Sequence, residues 1–245
     1  MNEEIEQFIQ SLNAEFKKEG DSVLPVLLEE FEKTAVFATS MGAEDQVLTD
    51  ILVKSGHPFR IITLDTGRLF YETYDLIEKT ERRYSIKIEV YFPDAEKTED
   101  MVKEKGINLF YASVENRKLC CAVRKLEPLE RALNGARLWI TGLRREQSVT
   151  RTQMNFAEWD EKYQTVKINP LIDWTWEKTL AYIKENKVPY NPLHDQNFPS
   201  IGCAPCTRAV LEGENIRAGR WWWENPETKE CGLHISDGQI IRNKK

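Results

Sequence analysis

No stretch of the sequence approaches the ~18 consecutive apolar residues that would cross a membrane as a helix. The opening MNEEIEQF is acidic where a secretory leader needs a basic start followed by an apolar run. A cytoplasmic protein is the expectation. Positive charge is also in short supply: 34 Lys and Arg against 40 Asp and Glu leave a net charge of −6. That balance argues against the broad cationic face on which general polyanion binding rests. Any anionic ligand must therefore be held by a local cluster. The chain lacks internal repeats, low-complexity tracts and the GxxxxGK[ST] loop, so triphosphate hydrolysis on the P-loop model is not supported. Cysteine is scarce and odd in number, five in 245 residues. In a reducing compartment that favours metal binding or catalysis over disulfides.

What is present alternates regularly. Two acidic amphipathic segments, Asn2 to Phe16 and Ser22 to Phe31, read as helices before a first buried strand, Thr34 to Ser40. Gly42 follows, then a helix ending at Gly56, whose φ freedom suits a C-terminal stop. The pattern repeats with strand FRIITLDT, a turn at Gly67 and a helix from about Leu69 to Tyr84. A third strand, IKIEVYF, ends at Pro93, and ARLWITGL supplies a fourth after the helical LEPLERALNG. TWEKTLAYIKENK makes one more helix, and periodicity fades after Pro189. The expectation is an α/β fold, a mainly parallel sheet flanked by helices, with a loop-rich C-terminal segment. Its organisation reads as N-terminal helices over 1–33, a main domain over 34–220 and a tail over 221–245. Ligands in such sheets sit at the carboxyl ends of the strands, here occupied by SMGAED, LDTGR and TGLRREQ.

Cys120 and Cys121 are neighbours, and a disulfide between adjacent residues is geometrically disfavoured. With the C-x-x-C pair Cys203 and Cys206 they make four thiols from two distant segments, suited to one tetrahedral zinc or to an iron–sulfur cluster. Adjacent ligands diverge around one small ion and reach separate corners of a four-iron cube more easily. A zinc staple or a redox-active C-x-x-C stays open on spacing alone. Cys231, in KECGLHIS, has Gly232 beside it and Lys229 and His234 near enough in sequence to favour the thiolate. It reads as a reactive nucleophile or as an ordinary tail cysteine. Ser40 to Asp45 joins strand to helix, and its backbone N–H groups and Gly42 offer a seat for an anion or a plain connection. Arg144, Arg145 and Arg151 follow the fourth strand, and Arg217 and Arg220 precede Trp221 to Trp223. Guanidinium forks suit phosphate and sulfate oxygens; the bland account pairs these arginines with Glu146, Glu212, Glu214 and Glu224.

The motifs CC-x-x-RK, GCAPCTR, RAGRWWWE and ECGLH, in that order from about Thr34 to His234, resemble the cluster-containing adenylyl-sulfate reductase branch of the phosphoadenylyl-sulfate reductase family. The resemblance implies an adenine-nucleotide α-hydrolase-like fold and a [4Fe-4S] cluster ligated by Cys120, Cys121, Cys203 and Cys206. Lys125 would link cluster and substrate electrostatically. It implies attack by Cys231 on the sulfur of adenosine 5′-phosphosulfate, loss of AMP and an S-sulfocysteine that thioredoxin reduces to release sulfite. Ser40, Gly42, Asp65, Gly67, Gly142, Arg151, Arg217 and Arg220 would bind the substrate, with His234 contacting it or tuning the thiolate.

The nearest rival is the same reaction on the 3′-phosphorylated substrate, or on both. A tRNA-thiolating enzyme would usually carry an SGGKDS-like loop where this chain reads SMGAED. A metal-dependent sensor would leave Cys231 and the arginines without a task. A homo-oligomer is compatible with the resemblance, whose members vary in assembly.

Overall fold

The structure is a computed structural model describing residues 3–19, 23–147, 151 and 153–225. Helices α1 (Glu3–Glu19) and α2 (Val23–Phe31) precede β1 (Ala35–Thr39), α3 (Ala43–Lys54), β2 (Arg60–Leu64), α4 (Tyr71–Tyr84) and β3 (Glu89–Tyr91). Then come α5 (Ala95–Lys105), α6 (Val114–Cys121), a π-helical turn (Ala122–Leu126) and α7 (Glu127–Leu133). The chain continues through β4 (Leu138–Ile140), β5 (Ala157–Asp160), β6 (Thr165–Ile168) and α8 (Trp176–Asn186).

Among the described residues the sheet is six-stranded, in the order β3-β2-β1-β4-β6-β5. The ladders are parallel except at the β5 edge, which runs antiparallel to β6 with Ala157 opposite Ile168. The expected mainly parallel α/β architecture is therefore present. Parallel strands covered on both faces are apolar nearly throughout, and successive side chains serve opposite layers. Val36, Ile62 and Trp139 pack under α7 against Leu129, Ala132 and Leu133. Phe37, Ile61, Leu138 and Ile140 face the larger layer with α2, α3 and α8. Each fully buried Val, Leu or Phe in these layers contributes roughly 1.5–3 kcal/mol. The N-terminal helices belong to this core: Leu12 and Leu28 are buried in it, and Asn13 exchanges two 2.9 Å hydrogen bonds with the backbone of Ala157.

Two helices lie between Pro93 and Leu126, where apolar periodicity announces none. α5 buries only Met101, and its start is fixed by Asp94, which accepts from the Lys97 N–H at 2.9 Å. α6 buries Arg117 and is capped by Ser113, accepting from Asn116 N–H at 3.1 Å. The order reverses at β1: the chain leaves it for β2 and β3 on one side, while β4 closes on the other. A crevice opens at such a switch point, outside the carboxyl ends of the strands.

Candidate active site and thiol pocket

At the end of β1 the backbone turns through Met41, held at φ +61 with its N–H donating to Thr39 Oγ1 at 3.0 Å. The first turn of α3 then brings Asp45 back underneath. Its Oδ2 accepts from Ser40 N–H at 2.5 Å and from Ser40 Oγ at 2.6 Å, and the Gly142 backbone also donates to it. Burial raises the Asp45 carboxyl to about 6, against the pull of the Ser40 donors, with the Glu44 charge adding to the rise. A Cβ on Gly142 would sit 2.0 Å from Asp45 Oδ1, so only glycine lets the chain just after β4 approach this carboxylate. The Ser40 N–H that the sequence offers to an anion is thus given to an internal carboxylate. Glu44 is engaged as well, bonded by buried Arg144 from Nε at 2.9 Å. Arg144 also bonds Glu146 at 3.1 Å and the Trp174 carbonyl at 3.2 Å, while Arg145 pairs with Asp173 at 2.8 Å. These two arginines fit the ion-pairing account.

The second turn is built on Asp65, which accepts from Gly67 N–H at 2.7 Å and from Tyr74 Oη at 2.8 Å. Burial and that carboxylate push the Tyr74 phenol up to about 12. Gly67, at φ +69, adopts the left-handed backbone the turn requires. Asp65 and Gly67 therefore shape the turn behind the crevice wall. The same turn reaches the thiols: Thr66 Oγ1 lies 3.2 Å from Cys203 Sγ, Arg124 Nη1 donates to Thr66 O at 2.7 Å, and Ala204 N–H donates to Arg68 O at 2.8 Å.

The crevice itself is a cavity of about 500 Å³. Ser40, Gly42 and Gly142 line its sheet end, beside an apolar slot of Leu64, Leu129 and Trp139. Lys125, Arg151, Arg217 and Arg220 also reach its wall, so four cations from three separate segments share one space. Arg220 donates to Ser200 Oγ at 3.2 Å and to Ile201 O at 3.3 Å, and stacks over Trp221 at 4.8 Å. Gly202 makes that position available, since a Cβ there would lie 2.4 Å from Arg220 Nη2.

Beside the cavity, Cys120, Cys121, Cys203 and Cys206 line one small pocket with Arg68, Arg117, Arg124 and Lys125. The paired cysteines end α6 where it opens into the π-helical turn, a feature that accompanies functional sites. Cys203 and Cys206 flank a tight turn closed by Cys206 N–H donating to Cys203 O at 2.9 Å. Burial raises the Cys120 thiol, opposed by Arg124, and pushes Cys206 up to about 12 with Cys203 adding to the rise. Lys125 lines both spaces. Cys231 and His234 lie outside the described residues.

Several contacts beside the site join residues far apart in sequence. Arg117 and Glu224, 107 positions apart, form a buried two-point ion pair at 2.9 Å for each bond. Arg117 also stacks over Trp221 at 4.6 Å. Of the three consecutive tryptophans, Trp221 is buried and Trp222 exposed. His194 enters the cavity wall from the turn after Asn191. Trp221 and Glu224 stand in the quoted RAGRWWWE run, but nothing in the sequence pairs them with Arg117, and Arg117 and His194 are isolated residues there.

Residues 34–209 match the model of the phosphoadenosine phosphosulfate reductase domain. A protein of Allochromatium vinosum named adenosine 5′-phosphosulfate reductase is 59% identical over 199 residues, covering 81% of this chain and 78% of its own. One of the same name from Sinorhizobium fredii is 50% identical over 243 residues, covering 96% and 97%. Among solved structures, the phosphoadenylyl-sulfate reductase of Candida auris, in a phosphate complex, superposes with a TM-score of 0.71 at 30% identity, covering 86% of this chain and 98% of that one. Yeast FAD synthetase, with a TM-score of 0.51 at 12% identity, shares the fold alone. By the extent of the domain match and the identity of these relatives, the chain belongs to the phosphoadenosine phosphosulfate reductase family.

Proposed function

We propose that the chain reduces adenosine 5′-phosphosulfate to sulfite and AMP with thioredoxin as reductant, in assimilatory sulfate reduction. The observation that carries this reading is the meeting of Lys125, Arg151, Arg217 and Arg220 on one cavity wall at the switch point. An apolar slot on that wall suits a base, and the cations suit a phosphosulfate. The relatives' name supplies the reaction.

The Cys231 thiolate attacks the sulfate sulfur. The bond from that sulfur to the bridging oxygen breaks, and AMP leaves with its electron pair. Cations already in place offset the charge growing on the departing phosphate without reorganising. His234 holds the phosphosulfate or favours the thiolate. A thioredoxin thiolate then attacks Cys231 Sγ of the S-sulfocysteine and sulfite departs with the bonding pair; the second thioredoxin thiol breaks the resulting mixed disulfide, closing thioredoxin's own disulfide and releasing the Cys231 thiolate. The dithiol thus supplies both electrons.

The four-thiol pocket fits a [4Fe-4S] cluster. Cys120, Cys121, Cys203 and Cys206 line one pocket and would supply the cluster's four thiolate ligands, and Arg68, Arg124 and Lys125 in the same wall would offset its negative charge. When bound, the cluster supplies a fixed charge beside Lys125 and staples the two cysteine segments. No helix among the described residues is long and apolar enough to cross a membrane, in keeping with a cytoplasmic location. A 3′-phosphorylated substrate remains the alternative reading.

Mass spectrometry after incubation with adenosine 5′-phosphosulfate tests the mechanism. An SO₃ adduct on Cys231, released as sulfite by reduced thioredoxin, is expected. The Cys231→Ser protein should keep its iron but form no adduct, whereas Cys203→Ser should lose iron. An iron-loaded wild type that forms neither adduct nor sulfite would overturn the proposal.

A further inference from the structure

One ring nitrogen of His194, in this cavity wall, is buried without a hydrogen-bond partner among the described residues. Its backbone is fixed: His194 N–H donates to Asn191 O at 3.0 Å, and fully buried Asn191 donates from Nδ2 to Thr73 Oγ1 at 3.2 Å. The ring is fixed too. Trp176 lies 5.7 Å and Tyr190 6.4 Å from it, centroid to centroid, and Nδ1 is 2.8 Å from the Phe198 carbonyl oxygen. A carbonyl can only accept, so Nδ1 carries the proton and Nε2 of the neutral ring is an acceptor. Burial lowers the His194 pKa against the opposing pull of Glu44 and Asp195, which keeps the ring neutral. Nε2 is buried without a hydrogen-bond partner among the described residues, on a side chain that lines the cavity. A buried acceptor left unpaired costs free energy, so it calls for a donor from the occupant.

The surroundings say which part of the occupant that is. Glu44, Glu146 and Glu177 line the cavity together with His194. The guanidinium stacked over Trp176 at 5.6 Å belongs to Arg144, already engaged by Glu44 and Glu146. Glu44 acts electrostatically on the ring and Glu146 bonds the Trp176 N–H, so an anionic group fits here poorly, while Lys125, Arg151, Arg217 and Arg220 supply the same cavity with cations. With the phosphosulfate held by those cations, the donors left on an adenine nucleotide are its ribose hydroxyls and its exocyclic amine. The amine belongs to the base, for which the apolar slot of Leu64, Leu129 and Trp139 is available.

We propose that His194 is a specificity-determining residue whose Nε2 accepts a hydrogen bond from a ribose hydroxyl of the bound nucleotide. A phosphate ester at that hydroxyl has no proton to give and brings charge toward carboxylates, so it is selected against. This rests on the nucleotide reading above.

Titration calorimetry with AMP, its 2′-deoxy and 3′-deoxy forms, and the adenosine 2′,5′- and 3′,5′-bisphosphates tests it on wild type, His194→Leu and His194→Gln. His194→Leu should bind AMP about tenfold more weakly, the effect of roughly one hydrogen bond. One deoxy nucleotide, and only one, should bind wild type and His194→Leu equally, and this identifies the hydroxyl. The preference for AMP over the bisphosphate at that same position should shrink in His194→Leu. His194→Gln, which retains an acceptor, should recover part of both effects. Equal losses for every nucleotide, including both deoxy forms, would overturn the assignment to the sugar and point to the base or to packing. Unchanged AMP affinity in both variants would overturn it while leaving the nucleotide reading intact. A wild type that binds none of these nucleotides would overturn both.

Discussion

Replacing Glu224 by glutamine isolates the ion pair that joins the helix bearing Cys120 and Cys121 to the segment bearing the tryptophans. Both Arg117 bonds to Glu224 are 2.9 Å, and the two side chains are 1% and 3% exposed. Glu224→Gln leaves a guanidinium that cannot shed its charge at any working pH. Breaking such a buried pair from one side costs about 3–5 kcal/mol, because desolvation is no longer offset. Removing both charges, as Arg117→Met with Glu224→Gln, should recover most of that loss, since an apolar replacement needs no compensation. What stays lost is the stacking of Arg117 over Trp221 at 4.6 Å, worth on the order of 1 kcal/mol. Urea unfolding of wild type, both single variants and the double variant measures the coupling. With a slope of about 2 kcal/mol per molar, Glu224→Gln should lower the midpoint by about 1.5–2.5 M. A Glu224→Gln protein within about 0.5 kcal/mol of wild type, or two single losses that simply add, would rule out a coupled buried pair.

Gly142→Ala places a methyl 2.0 Å from Asp45 Oδ1 and 3.3 Å from its backbone nitrogen, so a loss of about 1–3 kcal/mol in thermal unfolding is expected together with weaker AMP binding; a stable variant with wild-type affinity would contradict the close approach. Asp45 carries a signature in pH. Its folded carboxyl is raised from 3.8 to about 6, so the native state binds the extra proton and stability falls as pH rises through that window. Asp45→Asn should flatten the stability profile between about pH 4 and pH 6, and an unchanged slope in denaturant midpoints would count against a buried, protonatable Asp45.

The sheet was legible because buried parallel strands leave a local trace. Runs such as AVFAT and RIITL, with Gly42 and Gly67 after them, mark each strand and its exit turn within about ten residues. The cysteines were legible as residue types, and the structure brings the four described ones to one pocket. α5 and α6 left little trace because each buries a single side chain, Met101 and Arg117, so capping rather than apolar periodicity marks them. The fate of the SMGAED donors was hidden for another reason. Whether Ser40 N–H faces a ligand or a carboxylate depends on how α3 folds Asp45 back and on Gly142, nearly a hundred residues away, letting it fit. His194 depends similarly on a carbonyl four residues on and on a cavity built from distant segments.

The π-helical turn at Ala122–Leu126 solves a problem of phase. Upstream, Arg117 and the paired cysteines must point toward the 203–206 turn; downstream, Leu129, Ala132 and Leu133 must point down onto Val36 and Trp139. A regular helix advances about 100° per residue and fixes the angle between those two demands. One widened turn inserts a single step of rotation, so a continuous rod serves two partners that do not lie on one line. Deleting one residue there would leave a better-formed helix and a worse protein, able to grip its sulfur partners or seat itself on the sheet but not both.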